Sequence, residues 1–364
     1  MTTTAIAGQS AAVRHRLQIA SVERLTAQSV AVTFDVPANL ADDFRFRSGQ
    51  HVTLVTTIDG QEVRRTYSLC SPPTAGVLRV AIKALDGGLF SAFANAELRA
   101  GDELDVMRPV GSFGIRTDPN TSKSYAAFVA GSGITPLMAI IADVLHAEAL
   151  STFTLIYGNR SSASVMFLEE LSDLKDRYPD RFQLMHVLSA EANESELLHG
   201  RIDQGRIGRL LDQVIPVDTV DEWLLCGPFG MVDNARAELE RRGVDRHLVH
   251  LELFHVEGEQ VPLQRKSSHT EANRETVTIR LGGRTSTFDM PDEGSILDAV
   301  LAVRPDAPFA CKGGVCGTCR ASLVEGSVDM ARSYALEQSE IEAGYVLTCQ
   351  SVPTSPTVTV DYDV

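Results

Sequence analysis

Four cysteines in the last part of the sequence constrain the fold more than any other feature. They stand in a C-x4-C-x2-C pattern followed by a distant fourth member, namely Cys311, Cys316, Cys319 and Cys349. This spacing is typical of the thiolate ligands of a plant-type [2Fe–2S] cluster. The intervening Gly313, Gly314 and Gly317 allow positive φ and can direct backbone N–H groups toward the sulfur atoms. A structural zinc site, which usually has two short cysteine pairs, is the less favoured alternative.

The length and composition leave room for further domains. With 364 residues, of which 44% are hydrophobic and 22% charged, the chain is typical of a globular protein with two or three domains. Residues 1–16 contain no apolar run after a basic start, so no secretory signal is expected. The six cysteines give no sign of a disulfide framework. We therefore expect a cytoplasmic protein with reduced thiols.

Charge and hydropathy argue against two classes of partner. The net charge of −15 disfavours nucleic acid. Residues 275–364 contain 13 acidic and 6 basic residues, and this excess either serves solubility or steers docking onto a basic partner protein. Residues 125–145 are apolar enough to resemble a membrane span, but Gly131, Pro136 and Asp143 interrupt them and favour a strand, a turn and a helix. No membrane partner is expected.

Residues 14–116 are predicted to form an antiparallel β-barrel. Short segments that alternate apolar and polar residues are separated by turns, with little helix between them, and this pattern is typical of a barrel. The predicted strands are Val30–Val36, His51–Thr57, Glu62–Ser68, Val77–Ala84 and Glu103–Met107.

Residues 117–255 are predicted to form an α/β domain. Apolar strands alternate with helical segments, one of them near Val165–Tyr178, which indicates a parallel sheet with helices on both faces. The predicted strands are Tyr125–Ala130, Phe153–Tyr157, Phe182–Leu188 and, as the last, Glu222–Cys226.

The remaining residues are predicted to form a linker and a third domain. Residues 256–274 are polar and without periodicity, which is typical of a linker. Residues 275–364 are predicted to form an α+β unit of the β-grasp ferredoxin type around the cysteine motif. Its predicted elements are a hairpin at Gly282-Gly283, a helix near Ser295–Val303 and a final strand at Thr357–Tyr362.

Two motifs in the barrel suit a flavin nucleotide. The first, Arg65-Thr66-Tyr67-Ser68, offers a guanidinium for a pyrophosphate, a ring that can stack on an isoalloxazine and a hydroxyl for the flavin nitrogens. The second, Gly87-Gly88-Leu89-Phe90-Ser91, could open a helix whose N-terminal amides hold phosphate. A plain hairpin turn at the two glycines is the alternative.

Two motifs in the α/β domain suit a nicotinamide nucleotide. Gly131-Ser132-Gly133-Ile134-Thr135-Pro136 follows a strand and opens a helix, although Pro136 stands where a dinucleotide fingerprint has its third glycine. Tyr157-Gly158-Asn159-Arg160-Ser161 ends the next strand, where a guanidinium and a hydroxyl suit an adenosine 2′-phosphate and favour NADPH over NADH. An ordinary surface arginine is the alternative for Arg160.

A third motif, Cys226-Gly227-Pro228-Phe229-Gly230-Met231, bends the chain at the carboxyl end of the sheet, where ligands of α/β proteins bind. The alternative for Cys226 is a small buried thiol. Core positions are expected for Cys70 and Trp223.

With these motifs in this order, the sequence resembles the plant-type ferredoxin–NADP reductase superfamily with a C-terminal ferredoxin domain. More closely, it is similar to the reductase subunits of bacterial phenylacetyl-CoA epoxidases, which are multicomponent di-iron monooxygenases. Reductases of Rieske-type ring or steroid hydroxylases share the same layout. The closer resemblance rests on six segments: Phe46–His51, Ala130–Pro136, Leu155–Arg160, Leu198–Asp203, Cys311–Cys316 and Gly344–Cys349.

The resemblance implies an enzyme that carries FAD on the barrel, NADPH on the α/β domain and the cluster on the four cysteines. The implied cofactor contacts are Arg65, Tyr67, Ser68, Lys83, Gly88, Phe90, Ser91, Gly131, Gly133, Thr135, Pro136, Asn159, Arg160, Ser161, Gly227, Pro228, Met231 and Phe254. Of these, Tyr67 and Ser68, together with Cys226, are implied at the reacting centre. A surface position is expected for Glu252 rather than a role as proton relay, and Phe254 would cover the flavin face.

The implied electron path is NADPH to FAD, then the cluster, then a separate oxygenase. NADPH gives up two electrons as a hydride whereas a cluster accepts one at a time, and a flavin converts between the two. The partner is expected to be the epoxidase, with a Rieske-type hydroxylase as the alternative. A non-catalytic iron–sulfur redox sensor is the alternative from another class of protein.

Overall fold

The computed structural model describes residues 13–192, 195–255, 275–291, 293–309, 312–336 and 338–363. The segment interpreted as a linker, 256–274, and the first cysteine of the motif, Cys311, lie outside these ranges. The domain boundaries drawn from the sequence stay a prediction.

Six antiparallel strands form the first sheet, and the hydrogen-bonded order is β4-β3-β6-β1-β2-β5. A bridge between Leu69 and Val80 joins the two outer strands, so the sheet closes into the predicted barrel. A helix, α1 (Leu89–Ala96), follows the two glycines and buries Phe90 in the barrel core. The strands are β1 (Arg14–Thr26), β2 (Ser29–Asp35), β3 (His51–Ile58), β4 (Gln61–Ser68), β5 (Leu78–Lys83) and β6 (Glu103–Met107); of these, only β1 was not predicted.

Five parallel strands form the second sheet, in the order β11-β10-β7-β8-β9. They are β7 (Ser124–Ala130), β8 (Thr152–Asn159), β9 (Phe182–Leu188), β10 (Glu222–Pro228) and β11 (Val249–His255). The helices are α2 (Ile134–Ala147), α3 (Leu168–Arg177), α4 (Gln204–Gln213) and α5 (Phe229–Arg241).

Two separate apolar cores show that helices cover both faces of this sheet, as predicted. Helices α2 and α3 contribute Leu137 and Leu171 to one core, whereas α4 and α5 contribute Leu210 and Leu239 to the other. The prediction that β10 is the last strand was wrong. Among the described strands, the further strand β11 lies at the edge of the sheet and pairs with β10. Most residues of β11 are only partly buried, so this strand lacks the long apolar run that is typical of the inner strands.

The third unit is a mixed sheet with a helix packed across it. The order β13-β12-β18-β14-β16 and the packing of α6 on this sheet form the predicted β-grasp arrangement. Both hairpin residues, Gly282 and Gly283, have positive φ, as a tight β-turn of this kind requires. The elements are β12 (Thr276–Leu281), β13 (Arg284–Asp289), α6 (Ile296–Val303), β14 (Arg320–Glu325), β15 (Val328–Met330), α7 (Gln338–Glu342), β16 (Tyr345–Leu347), β17 (Ser351–Pro353) and β18 (Thr357–Asp361).

Polar and aromatic contacts join the three units. The Ser48 hydroxyl of the barrel donates to Asp143 of α2 at 2.8 Å. The rings of Phe229 and Tyr334, from the second and third units, have centroids 5.6 Å apart. A cleft of about 730 Å³ lies at the junction and is lined by residues of all three, among them His51, Glu252 and Cys316.

The apolar stretch over residues 125–145 forms β7, a turn and α2, as predicted. Within the described ranges, no helix has both the length and the apolar character needed to cross a membrane.

Candidate functional site

The Arg65–Ser68 motif forms the end of β4, and each side chain has a different environment. Arg65 is exposed and donates to the backbone oxygen of Arg64 at 2.7 Å, so much of its guanidinium remains free for a ligand. Tyr67 packs on Phe90 of α1, with ring centroids 5.6 Å apart, and burial raises the pKa of its phenol. The hydroxyl of Thr66 is buried and has no hydrogen-bond partner within the described residues. An arginine, a ring and an unpaired hydroxyl on one strand end fit a flavin nucleotide.

The glycine motif forms the tight turn before α1. Gly87 has φ of +71°, and a Cβ at Gly88 would lie 2.4 Å from the Ser91 hydroxyl oxygen. That hydroxyl donates to the Gly88 oxygen and accepts from the Leu85 N–H, both at 3.1 Å. Ser91 therefore stabilises the turn, and no side chain of the described residues caps the first amides of α1. These amides remain available to a phosphate.

The turn after β7 packs directly against the end of β10. A Cβ at Gly133 would lie 2.4 Å from the Cys226 backbone oxygen, and one at Gly227 would lie 3.2 Å from the backbone of Ala130. The Thr135 hydroxyl donates to the Ser132 oxygen at 3.0 Å, which tightens the same turn. Gly133 and Gly227 thus allow close approach between this turn and the strand end, in addition to any approach by a nucleotide.

Other members of these two motifs are mostly buried. Pro136 lies in the first turn of α2, where a missing N–H costs nothing. Met231 is 7% exposed, whereas Pro228 is exposed at the end of β10. Burial raises the pKa of the Cys226 thiol well above its usual value, so at neutral pH this side chain is an uncharged thiol and not a nucleophile.

Two cations converge at the open side of the first nucleotide loop. Gly131 has φ of +55°, and among the described residues its missing Cβ would meet only Lys83 Nζ, at 3.6 Å. Burial and the nearby Arg160 guanidinium lower the pKa of Lys83. In the described part of the chain neither cation forms a salt bridge. Two neighbouring unpaired cations beside exposed backbone fit a pyrophosphate or phosphate group.

Asn159 ends β8 beside this pair. It is 9% exposed, and neither atom of its amide meets hydrogen-bond criteria with any described residue. Ser161 follows and forms a capping box with Ser164. A buried amide beside the Tyr157 hydroxyl, at the carboxyl end of a parallel strand, is suited to bind a nucleotide.

Glu252 is mostly but not completely buried, and the prediction of a surface carboxylate was wrong. It lies on β11 opposite Cys226, its Oε2 accepts from the Ser68 hydroxyl at 3.3 Å, and its side chain is 11% exposed. Burial raises the pKa of Glu252 to about 8, with a smaller contribution from the negative charge of a Cys316 thiolate. At neutral pH the side chain is a protonated carboxylic acid.

His51, which the sequence analysis did not select, faces the same carboxyl group. Its Nδ1 lies 3.9 Å from Glu252 Oε1, and burial lowers the pKa of His51 to about 4. Both groups are therefore uncharged at neutral pH, and the contact is not an ion pair. Its Nε2 is buried without a hydrogen-bond partner in the described ranges. The only signal in the sequence was a histidine at the start of a buried strand, which alone indicates a core position.

Phe254, two residues further along β11, is half-buried and packs against the core that contains Cys226 and Tyr157. It therefore lies on the face of the α/β sheet that α2 and α3 cover.

Three of the four motif cysteines are described, and they come together. Cys316, Cys319 and Cys349 are buried, and the Cys319 thiol and the Gly314 N–H both hydrogen-bond to the Cys349 sulfur. Among the described residues, which do not include Cys311, no group of three or more His, Cys, Asp or Glu side chains is placed to hold a metal ion.

The surroundings of these cysteines nevertheless fit a cluster. Gly314 and Gly317 have φ of +78° and +66°, which turns the loop backbone around the sulfurs. The Thr318 hydroxyl, between two of the cysteines, is buried without a partner among the described residues, and a cluster sulfide would accept its hydrogen bond. With Cys311 as the fourth ligand, the set is the one that a plant-type cluster requires.

Three candidate sites together define a class of protein. They are a flavin site on a barrel, a nucleotide site on an α/β sheet and an iron–sulfur loop on a β-grasp unit. That class is the electron-transfer reductases that use a nicotinamide nucleotide, FAD and a [2Fe–2S] cluster. The chain belongs to the ferredoxin–NADP reductase family whose members carry a C-terminal ferredoxin domain.

The comparisons with known proteins support this assignment along the whole chain. Residues 16–115 match the oxidoreductase FAD-binding domain, 128–237 the oxidoreductase NAD-binding domain and 279–354 the 2Fe-2S iron-sulfur cluster binding domain. The chain is 45% identical over 350 residues to one of the subunits of the 1,2-phenylacetyl-CoA epoxidase of Escherichia coli (strain K12), covering 96% of this chain and 98% of that protein.

More distant relatives have the same organisation. The ferredoxin reductase component of the 3-ketosteroid-9-alpha-monooxygenase of Rhodococcus rhodochrous is 31% identical over 353 residues, covering 95% of this chain and 96% of that protein. The structure of phthalate dioxygenase reductase superposes with a TM-score of 0.57 at 24% identity, covering 96% of this chain and 98% of that one, which shows the shared fold.

Proposed function

We propose that this protein takes electrons from NADPH and delivers them to a separate oxygenase, the multicomponent phenylacetyl-CoA epoxidase. The observation that carries the proposal is the 45% identity to an epoxidase subunit, with nearly all of both chains covered. Bound FAD would supply the conversion between the two-electron chemistry of the nicotinamide and the one-electron chemistry of the cluster.

The residues of the chain bind and orient these groups. Arg65, Tyr67 and the first amides of α1 hold the FAD, with Phe90 packed behind the Tyr67 ring. Lys83 and the Gly131 turn hold the pyrophosphate of the nicotinamide nucleotide between the barrel and the α/β domain. Ser68 and Glu252 link the barrel to the α/β domain, and the protonated Glu252 would be a proton donor at this junction. Cys226 contributes an uncharged surface at the nicotinamide end.

The NADPH assignment depends on the end of β8. Arg160 is exposed and near Lys83, and Ser161 and Ser162 follow it, so a 2′-phosphate there would meet a cation and hydroxyl groups.

One observation favours NADH as the second candidate. A Glu191 carboxylate oxygen accepts from both the N–H and the hydroxyl of Ser162, each at 2.9 Å. A carboxylate at the end of the neighbouring strand is the group that binds ribose hydroxyls in NAD-dependent enzymes, and it would repel a 2′-phosphate.

Steady-state kinetics with both nucleotides tests the assignment. Arg160→Ala should raise the KM for NADPH about tenfold or more, because it removes a charge-assisted contact to the 2′-phosphate, and should leave the KM for NADH nearly unchanged. Lys83→Gln is the matched control, since the pyrophosphate is common to both nucleotides and both KM values should rise together. An equal effect of Arg160→Ala on the two KM values would remove the 2′-phosphate assignment.

Glu191→Gln separates the two candidates directly. If NADPH is the donor, loss of the negative charge should lower the KM for NADPH. If NADH is the donor and Glu191 binds its ribose, the same substitution should raise the KM for NADH instead.

Reconstitution tests the partner. Purified protein should support NADPH-dependent product formation with the epoxidase, and not with a Rieske-type steroid hydroxylase, the alternative partner drawn from the sequence. The 31% identical relative is a component of a 3-ketosteroid monooxygenase. Coupled turnover with the Rieske enzyme alone would overturn the epoxidase assignment.

A further inference from the structure

Arg64 joins the barrel to the third unit through a buried guanidinium. It lies on β4 and is 7% exposed, with Nη1 3.4 Å from the Ala307 oxygen and Nη2 3.4 Å from the Pro305 oxygen. The centre of the guanidinium lies 4.3 Å from the centroid of the Phe309 ring. Both polar and aromatic contacts therefore connect one barrel residue to the segment over residues 305–309.

On the barrel side, Arg64 is held by Glu62. Its Nε donates to Glu62 Oε1 at 2.8 Å, and the same carboxylate accepts from Arg14 at 2.8 Å. Burial of a guanidinium is costly unless its N–H groups find acceptors, and on the side of the third unit these acceptors are backbone oxygens. Such acceptors are correctly placed only when the two units have one particular relative position.

The two ends of this contact lie beside the two redox sites. The next residue on β4, Arg65, is the residue assigned to FAD, and its Nη1 donates to the Arg64 oxygen at 2.7 Å. Residues 305–309 lead directly into the motif that begins at Cys311. Lys312, within the motif, also approaches the Phe309 ring, with Nζ 5.3 Å from its centroid.

We propose that Arg64 is a positioning residue for electron transfer: it fixes the cluster-bearing unit against the flavin-bearing barrel and so sets the distance between the two groups. This inference rests on the proposed electron order from flavin to cluster. Because electron transfer slows steeply with distance, a looser contact should slow that step and leave the reaction of NADPH with the flavin intact.

The test uses the full-length protein with FAD and cluster bound. In Arg64→Gln, anaerobic stopped-flow absorbance should show cluster reduction slowed by roughly tenfold, the order expected for loss of hydrogen bonds from a charged group. The KM for NADPH and the rate of NADPH-dependent ferricyanide reduction should stay unchanged. Arg64→Lys keeps the charge but loses the planar guanidinium. Its rate of cluster reduction should therefore lie between the rates of Arg64→Gln and the unsubstituted protein.

A structural readout independent of turnover accompanies the kinetics. Hydrogen–deuterium exchange of the backbone amides of Arg304, Asp306, Ala307 and Phe309 should become faster in Arg64→Gln. Arg14→Gln is the matched control, since Arg14 binds the same Glu62 but, within the described residues, has no hydrogen bond to the third unit. It should change neither exchange nor cluster reduction.

Phe309→Leu removes the aromatic contact from the other domain and keeps the proposal testable if β4 tolerates substitution poorly. Phe309→Leu and Arg64→Gln combined should slow cluster reduction by less than the product of their separate effects, because the two residues share one contact. Unchanged cluster reduction in Arg64→Gln, or a parallel loss of flavin reduction, would overturn the proposal. If NADPH fails to reduce the cluster in the unsubstituted protein, the proposed function itself fails.

Discussion

The Ser68 hydroxyl lies 3.3 Å from Glu252 Oε2, although the two residues are 184 positions apart in the sequence. Ser68 ends a strand of the barrel and Glu252 lies on the edge strand of the α/β sheet. This contact closes the interface between the flavin-binding and nucleotide-binding domains over a carboxyl group that is buried and protonated at neutral pH. The site therefore holds a proton where the two redox groups are expected to meet.

The raised pKa of Glu252 predicts a loss of stability at high pH. The folded protein retains this proton up to about pH 8, whereas the unfolded chain releases it near 4.5, so the folded state binds more protons between these values. The free energy of unfolding should then fall by about 1.4 kcal/mol per pH unit across this window through this group. Glu252→Gln should remove that decline. Thermal unfolding of both proteins at a series of pH values measures it, and identical pH dependence would show that Glu252 titrates normally.

His51 predicts the opposite slope at acid pH. Burial lowers its pKa from 6.5 to about 4, so between these values the unfolded chain binds a proton that the folded protein excludes. The stability should fall as the pH drops from 6.5 to 4, and His51→Asn should weaken this fall. The same unfolding series provides the measurement. A variant that is as acid-sensitive as the parent would contradict the burial assigned to His51.

The parts of the candidate site that the sequence indicates have local signals. The cysteine spacing, the glycine turns after β7 and before α1, and Arg65 with Tyr67 all lie within short segments, and the chemistry of each segment indicates its ligand. The burial of Glu252 could not be predicted in this way, because it results from packing of a distant strand end against β11. Arg64 and Arg65 are adjacent arginines whose side chains leave the strand in opposite directions, and the sequence does not reveal which direction faces the third unit.

Gly133 is expected to tolerate no side chain. In Gly133→Ala the new Cβ would lie 2.4 Å from the Cys226 oxygen, and displacement of the end of β10 should cost about 1 to 3 kcal/mol of stability. Gly230→Ala is the control, because a Cβ there meets no described atom within 4 Å and alanine favours the helix. Thermal unfolding of the two variants, monitored by the fluorescence of the FAD that is released, compares their stability. Equal stability of the two variants would show that the turn and the strand end do not pack as described.

Loss of one cluster ligand should abolish electron transfer through the cluster and leave electron transfer from NADPH to the flavin intact. Cys316→Ser is expected to lose the visible absorbance of the cluster but to keep NADPH-dependent ferricyanide reduction, because the flavin and nucleotide residues lie in the other two units. Iron content and ferricyanide kinetics on the purified variant provide the check. A variant that loses flavin reduction together with its iron would show that the cluster loop is needed for the flavin domain to fold.

The most direct test of the electron path is anaerobic addition of NADPH to the purified protein, followed by stopped-flow absorbance. The account predicts a coloured protein with one FAD and one [2Fe–2S] cluster per chain, in which the flavin bands bleach first and the cluster absorbance then falls. Protein that binds iron without FAD, or whose cluster stays oxidised after the flavin is reduced, would contradict it.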